Sequence, residues 1–201
     1  SYHPIIFDGL KQITNDNYVQ KSVIKAVKNN ISVYAIHTSL DNHPKGISYL
    51  LSDLIGLKNI SVLLPKEEKL NKIKIGLGSI GELEKPMDEI TFFDILKNKL
   101  GLKYLRHTNK LNKKISKVSV VVGSGSFAIK DSIESNVDAF ITSDFKYHNF
   151  FEADNKAILI DIGHYESEKH IKLFIKEFLN KKLPNFTVLL SEQNINPLNY
   201  Y

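Results

Sequence analysis

At 201 residues, 42% of them apolar, the chain can bury a sizeable core as one large domain or two small lobes, which excludes an intrinsically disordered protein. It has no cysteine, so disulfides and thiolate ligands are excluded, and any bound metal falls to His, Asp and Glu with water and backbone. The net charge of +5 is almost wholly lysine, with Arg106 the only arginine, and the lysines are interleaved with carboxylates; both features argue against a nucleic-acid surface.

In chain order, Ser1-Tyr2-His3-Pro4 reads as the exit of a strand. Tyr18 to Asn29 places Val19, Val23, Ala26 and Val27 at helical spacing. Ile31 to Ile36 is a β-branched apolar run of the kind that forms a strand covered on both faces, and His37 to Asp41 is the loop that leaves it. Ile47 to Leu57 is predicted helical, with Leu50, Leu51, Leu54 and Ile55 inward. Ser61 to Leu64 and Lys72 to Leu77 read as strands, the second interrupted by Gly76, Gly78 and Gly81. Thr91 to Leu100 follows as an amphipathic helix and Lys103 to Arg106 as a short strand, giving the middle an α+β texture.

The last third returns to βαβ order. Lys117 to Val122 is a buried strand, Gly123-Ser124-Gly125-Ser126 a tight turn, and Phe127 to Ser135 a helix. Ala139 to Thr142 and Ala157 to Ile162 are strands. One long helix is predicted from His164 to Lys181 with the stripe Ile171, Phe174, Ile175, Phe178 and Leu179, and Thr187 to Leu190 is a final strand. The fold class is therefore α/β, with parallel or mixed sheets flanked by helices in two lobes. The divisions are residues 1–60 for the first lobe, 61–135 for the second, and 136–201 for a return segment that completes both.

Ligands in open α/β sheets collect at the carboxyl ends of strands, and several segments put ionisable residues there. In Gly163-His164-Tyr165-Glu166-Ser167-Glu168, a helix would bring His164 and Glu168 onto one face at i and i+4, close enough to share an ion. The same residues also suit an N-terminal turn whose acids complement the helix dipole. Asp161 is a candidate partner for the imidazole. His37-Thr38-Ser39-Leu40-Asp41 offers a carboxylate able to bridge two ions, or an ordinary polar loop. Thr142-Ser143-Asp144-Phe145-Lys146-Tyr147-His148 offers acid–base groups, or a helix entry capped by Ser143 or Asp144. Without a P-loop lysine or a third glycine, Gly123-Ser124-Gly125-Ser126 is read as a turn. His43, His107 and His170 are read as surface residues.

Taken in register, Ser1-Tyr2-His3-Pro4-Ile5-Ile6-Phe7, Ala35-Ile36-His37-Thr38-Ser39-Leu40-Asp41, Gly78-Ser79-Ile80-Gly81-Glu82-Leu83, Val122-Gly123-Ser124-Gly125-Ser126, the Ile141 to His148 segment, Asp161 to Glu168 and an Asn-Pro-rich tail ending at Tyr201 resemble the Nif-three-like family, also called GTP cyclohydrolase I type 2 homologues or dinuclear metal centre proteins. The resemblance implies a two-lobe α/β fold and a ring-like hexamer. It implies about one or two divalent ions (Zn, Fe or Mn), held by His3, Asp41, His164 and Glu168. Thr142, Asp144 and His148 would line the same cleft as catalytic groups. Two departures stand out. Tyr2 occupies a position where many family members have histidine, and tyrosine, with a pKa near 10, is a poor ligand at neutral pH. Family members also carry a segment ahead of the first motif, without which exposed apolar faces and an unpaired sheet edge are expected.

The function expected is a metal-dependent hydrolase of a small molecule or nucleotide. The alternative is a non-catalytic, metal-stabilised scaffold or regulator that binds protein partners. No apolar run approaches the roughly 18 residues of a membrane span and no signal peptide opens the chain, so a cytoplasmic location is expected.

Overall fold

The computed structural model describes residues 1–70, 73–193 and 196–199. The predicted strand start at Lys72 and the tail end at Tyr201 lie outside the described residues. The chain divides into two compact units, Ser1–Leu40 and Asp41–Tyr201.

In the first unit, helix α1 spans Tyr18–Lys28. It starts where Asn17 Oδ1 accepts a hydrogen bond from Gln20 N at 3.0 Å, satisfying one of the orphan donors of a helix start. Ile31 to Ile36 forms no strand. Its backbone meets residues 1 and 2 through Ile36 N to Ser1 O (3.2 Å) and His37 N to Tyr2 O (3.0 Å). Strands need a continuous ladder, and here the pairing touches only the end of the run while Ile31, Val33 and Tyr34 stay exposed. His37–Asp41, predicted as a loop, is a short helix, α2.

The second unit is built on a six-stranded mixed sheet. Helix α3 (Ile47–Ile55) stops at Gly56, whose φ of 98° supplies the left-handed turn into β1, Leu57–Leu70. Leu54, predicted inward, is exposed on α3, whereas Ile47, Leu51 and Ile55 are buried. β2 runs Ile73–Met87 without interruption. Gly76 does not break it, because a Cβ there would lie 2.1 Å from Leu64 O; glycine instead lets β1 and β2 approach closely. Helix α4 (Glu89–Leu100) begins earlier than periodicity suggests, since Asp88 caps it through Thr91 N at 2.9 Å.

The remaining elements are β3 (Arg106–His107), β4 (Ile115–Ser124), α5 (Ile129–Glu134, entered through a 3₁₀ turn at Ser126–Ala128), β5 (Ala139–Ser143), β6 (Ile158–Asp161), α6 (His164–Glu168) and α7 (Ile171–Lys182). The strand order is β1-β2-β4-β5-β6-β3. β4, β5 and β6 are mutually parallel, and β1, β2 and β3 join antiparallel. One core cluster includes Val121, Ile129, Phe140, Phe145 and Leu159, and the three parallel strands are buried almost throughout. Such burial is what near-continuous apolar strands require.

Two C-terminal expectations are corrected. The single helix from His164 to Lys181 is two helices, α6 and α7, separated at Lys169 and His170. Of the predicted stripe on α7, Ile171 is buried and Phe178 is exposed. Thr187 to Leu190 is not a strand; the sheet edges are β1 and β3, and Leu189 projects into solvent. Among the described residues no helix is long and apolar enough to cross a membrane.

Candidate metal site

The parallel strands end side by side. The register pairs Ser124 with Ser143 and Thr142 with Asp161, bringing the turn after β4, the loop after β5 and the start of α6 to one edge. Each is fixed by hydrogen bonds to its neighbour. Thr142 Oγ1 donates to Gly123 O (3.0 Å), and Ser143 Oγ donates to Gly163 O (3.0 Å). Ser167, fully buried in α6, accepts from Gly123 N (3.1 Å) and donates to His164 O (2.8 Å).

On this frame the structure brings together Asp144, His164 and Glu168. His164 Nδ1 lies 2.6 Å from Asp144 Oδ2, and Nε2 lies 3.0 Å from Glu168 Oε1, across the i, i+4 spacing that the sequence shows. The imidazole pKa is raised to about 9, first by the hydrogen bond to Glu168 and then by Asp144, against the opposing effect of burial. At neutral pH His164 is thus an imidazolium donating both ring N–H groups to carboxylates. Glu168 is the more enclosed acid, its side chain 12% exposed against 47% for Asp144.

Gly123 faces this pair. Its φ is +72°, and a Cβ would sit 3.1 Å from Glu168 Oε1 and 3.7 Å from His164 Cε1. The turn after β4 therefore needs glycine both for its left-handed backbone and for room beside the acid.

Other predicted residues are placed differently. The expected partner of the imidazole, Asp161, does not bond it. Its carboxylate accepts from Phe145 N (3.0 Å), Gly163 N (2.9 Å) and Arg106, and Asp144 takes its place at His164. Neither Ser143 nor Asp144 caps a helix. Asp144 has φ of 60°, and the 3₁₀ segment Tyr147–Ala153 begins after Lys146. His148 is exposed and packs against the rings of Tyr147 and Phe151 at 5.4 and 6.4 Å. His170 is only half exposed: its Nε2 is buried, and that burial lowers its pKa.

In the first unit His3 is half-buried among rings, 4.8 Å from Tyr2, 5.2 Å from His37 and 6.2 Å from Phe7. Asp41 ends α2, half-buried, as the first residue of the second unit. Sequence reasoning gave Gly123 only as part of a turn and Arg106 only as the sole arginine, and assigned Ser167 no role of its own at the site. Adjacent small residues and the sole arginine were the available signals.

A mixed α/β sheet with an imidazole–carboxylate cluster at the ends of its parallel strands defines an α/β protein with a candidate metal centre. Residues 1–197 match the Duf34/NIF3 (NGG1p interacting factor 3) family, and the chain belongs to that family. Curated relatives include a "GTP cyclohydrolase 1 type 2 homolog" of Clostridium perfringens, 31% identical over 91% of this chain and 69% of its own length. Another is "Protein NIF3 homolog" of Schizosaccharomyces pombe, 30% identical over 98% of this chain and 74% of its own. Among solved structures, a Bacillus cereus protein related to NIF3 superposes with a TM-score of 0.86 at 21% identity, over 100% of this chain and 82% of that one, which shows a shared fold.

Proposed function

We propose that the protein binds divalent metal through His164 and Glu168 and acts as a metal-dependent hydrolase of a small molecule or nucleotide. The observation that carries this reading is the His164 Nε2–Glu168 Oε1 separation of 3.0 Å with Asp144 behind the other ring nitrogen. The spacing suits two donors each about 2.1 Å from a shared ion, and a carboxylate on the far nitrogen is the usual way to orient a ligating imidazole. Nitrogen and carboxylate donors without thiolate suit Zn, Fe or Mn. His3 and Asp41 are the further ligands, on the strength of the family motifs.

Bound there, the ion would acidify a water towards a pKa of about 7. Asp144 would hold the imidazole in the tautomer that leaves Nε2 free to ligate. Thr142 would keep the glycine turn in place through Gly123 O. His148 is the group proposed to move protons. The hydrolase part rests on the name of the curated relatives, "GTP cyclohydrolase 1 type 2 homolog". A homo-oligomer, a ring-shaped hexamer by family resemblance, is proposed as the assembled form, and the exposed apolar residues Leu173 and Phe178 of α7 are consistent with assembly.

The test is elemental analysis of protein purified without added metal, beside Glu168→Ala and Asp41→Ala. About one or two ions per chain, lost in the variants, is the expected result. No ion even after reconstitution would overturn it. Metal-dependent turnover lost in His148→Ala supports the hydrolase; metal-dependent assembly without turnover supports the non-catalytic scaffold.

A further inference from the structure

We propose that Asp161 and Arg106 form a positioning pair that sets the separation between Asp144 and His164. Asp161 is 4% exposed at the end of β6 and touches neither residue's side chain in the hydrogen bonds described above. Its two oxygens instead take the backbone on either side. Oδ2 accepts from Phe145 N, the amide that follows Asp144, and Oδ1 accepts from Gly163 N, the amide that precedes His164. A single carboxylate thus pins the two loops that carry the facing groups.

Arg106 completes the clamp from β3, where it is the register partner of Asp161. Its Nη2 donates to Asp161 Oδ2 and also to Phe145 O at 2.9 Å, so the Phe145 residue is held at both its N–H and its carbonyl. The guanidinium lies over the Phe150 ring at 5.3 Å, against the 3₁₀ segment that follows.

Two physical demands explain why this arrangement is built. Asp144 has φ of 60°, a left-handed conformation uncommon outside glycine that aspartate tolerates and that neighbouring contacts help to hold. A carboxylate as buried as that of Asp161 needs a cation and several donors, because an uncompensated buried charge is strongly destabilising. A planar guanidinium can meet a carboxylate and a carbonyl while its flat face stacks on a ring, an orientation that a lysine ammonium, having no plane, does not fix. In a chain that otherwise uses lysine in place of arginine, the one arginine stands where that geometry is required.

The positioning is a property of the metal-free protein, and only its effect on the ion rests on the metal reading above. The experiment compares wild type, Arg106→Leu and Arg106→Lys, with Asp144→Asn as the reference for a broken pair. The His164 Nδ1–H proton resonance is recorded on ¹⁵N-histidine-labelled protein, together with zinc affinity by chelator competition and the melting temperature. Arg106→Leu is expected to lose the downfield Nδ1–H signal, as Asp144→Asn does, and to bind zinc roughly 10–100-fold more weakly. Arg106→Lys should fall between, retaining charge but not shape. A retained signal and unchanged zinc affinity in folded Arg106→Leu, with only the melting temperature lowered, would overturn the proposal. Should wild type bind no zinc, the metal reading fails and the resonance alone decides the positioning. Arg106 is 58% exposed, so its replacement opens no cavity in the core, and the expected loss of stability falls on the Asp161 carboxylate left without its cation.

Discussion

Two apolar runs with nearly the same sequence texture meet different fates. Lys117 to Val122 lies inside β4, between β2 and β5, and is buried to its end. Ile31 to Ile36, also rich in β-branched residues, has scattered backbone bonds, from Ile31 N to Ala26 O and with residues 1 and 2 near its end, but no ladder, and leaves Ile31, Val33 and Tyr34 in solvent. Apolar content makes a strand possible; flanking partners on both sides make it real.

The sharpest way to break this comparison is to remove bulk from each region. Phe140→Ala, at a fully buried position of β5, is expected to cost about 3–5 kcal/mol in urea denaturation. Val33→Ser should stay within about 0.5 kcal/mol, as for an exposed site. Equal losses would show that the Ile31 to Ile36 run is buried in solution.

Gly123→Ala comes next. Strain at φ +72° plus crowding of Glu168 should cost about 1–3 kcal/mol and weaken metal binding, read by denaturation and elemental analysis. In the first unit, Asn17→Ala removes the cap of α1 and should cost about 1 kcal/mol. A far smaller loss would mark that helix as marginal beside those on the sheet.

The mildest effect is that of pH. The folded pKa of His164 is raised from 6.5 to about 9, so its two ion pairs contribute fully below pH 6.5, and that contribution fades as pH rises towards 9. The ring is 35% exposed, so solvent screens the change in stability. Protons and metal compete for Nε2, so zinc affinity should increase with pH across the same window. Glu168→Gln removes the largest cause of the raised pKa, and an NMR titration of His164 should show it fall. An unchanged titration would assign the raised pKa to Asp144 instead.

How much of this was legible in the sequence follows the same division. The His164–Glu168 pair was readable because i, i+4 spacing turns directly into proximity within one helical turn. The buried strands β4, β5 and β6 were readable from uninterrupted apolar runs. The role of Asp144 at His164 was not, because it depends on a left-handed backbone at Asp144 and on the register of β5 against β6, which no local pattern encodes. Asp161 misled for the same reason. It is close in sequence to His164, but its carboxylate reaches back to an amide across the strand pair. The break at Lys169–His170 carries neither proline nor glycine, so periodicity ran straight through it.

The pairing of Thr142 with Asp161 has a further consequence. Successive side chains in a strand point to opposite faces, so sliding β6 by a single residue against β5 would turn the Asp161 carboxylate to the other side of the sheet and offer isoleucine to the waiting Phe145 amide. A chain threaded even one step out of place would keep a greasy core and every residue of the motif, yet lose the chemistry. The His164 cluster is therefore a gauge of alignment, and its spectroscopic signature would separate correctly assembled molecules from compact impostors of the same composition.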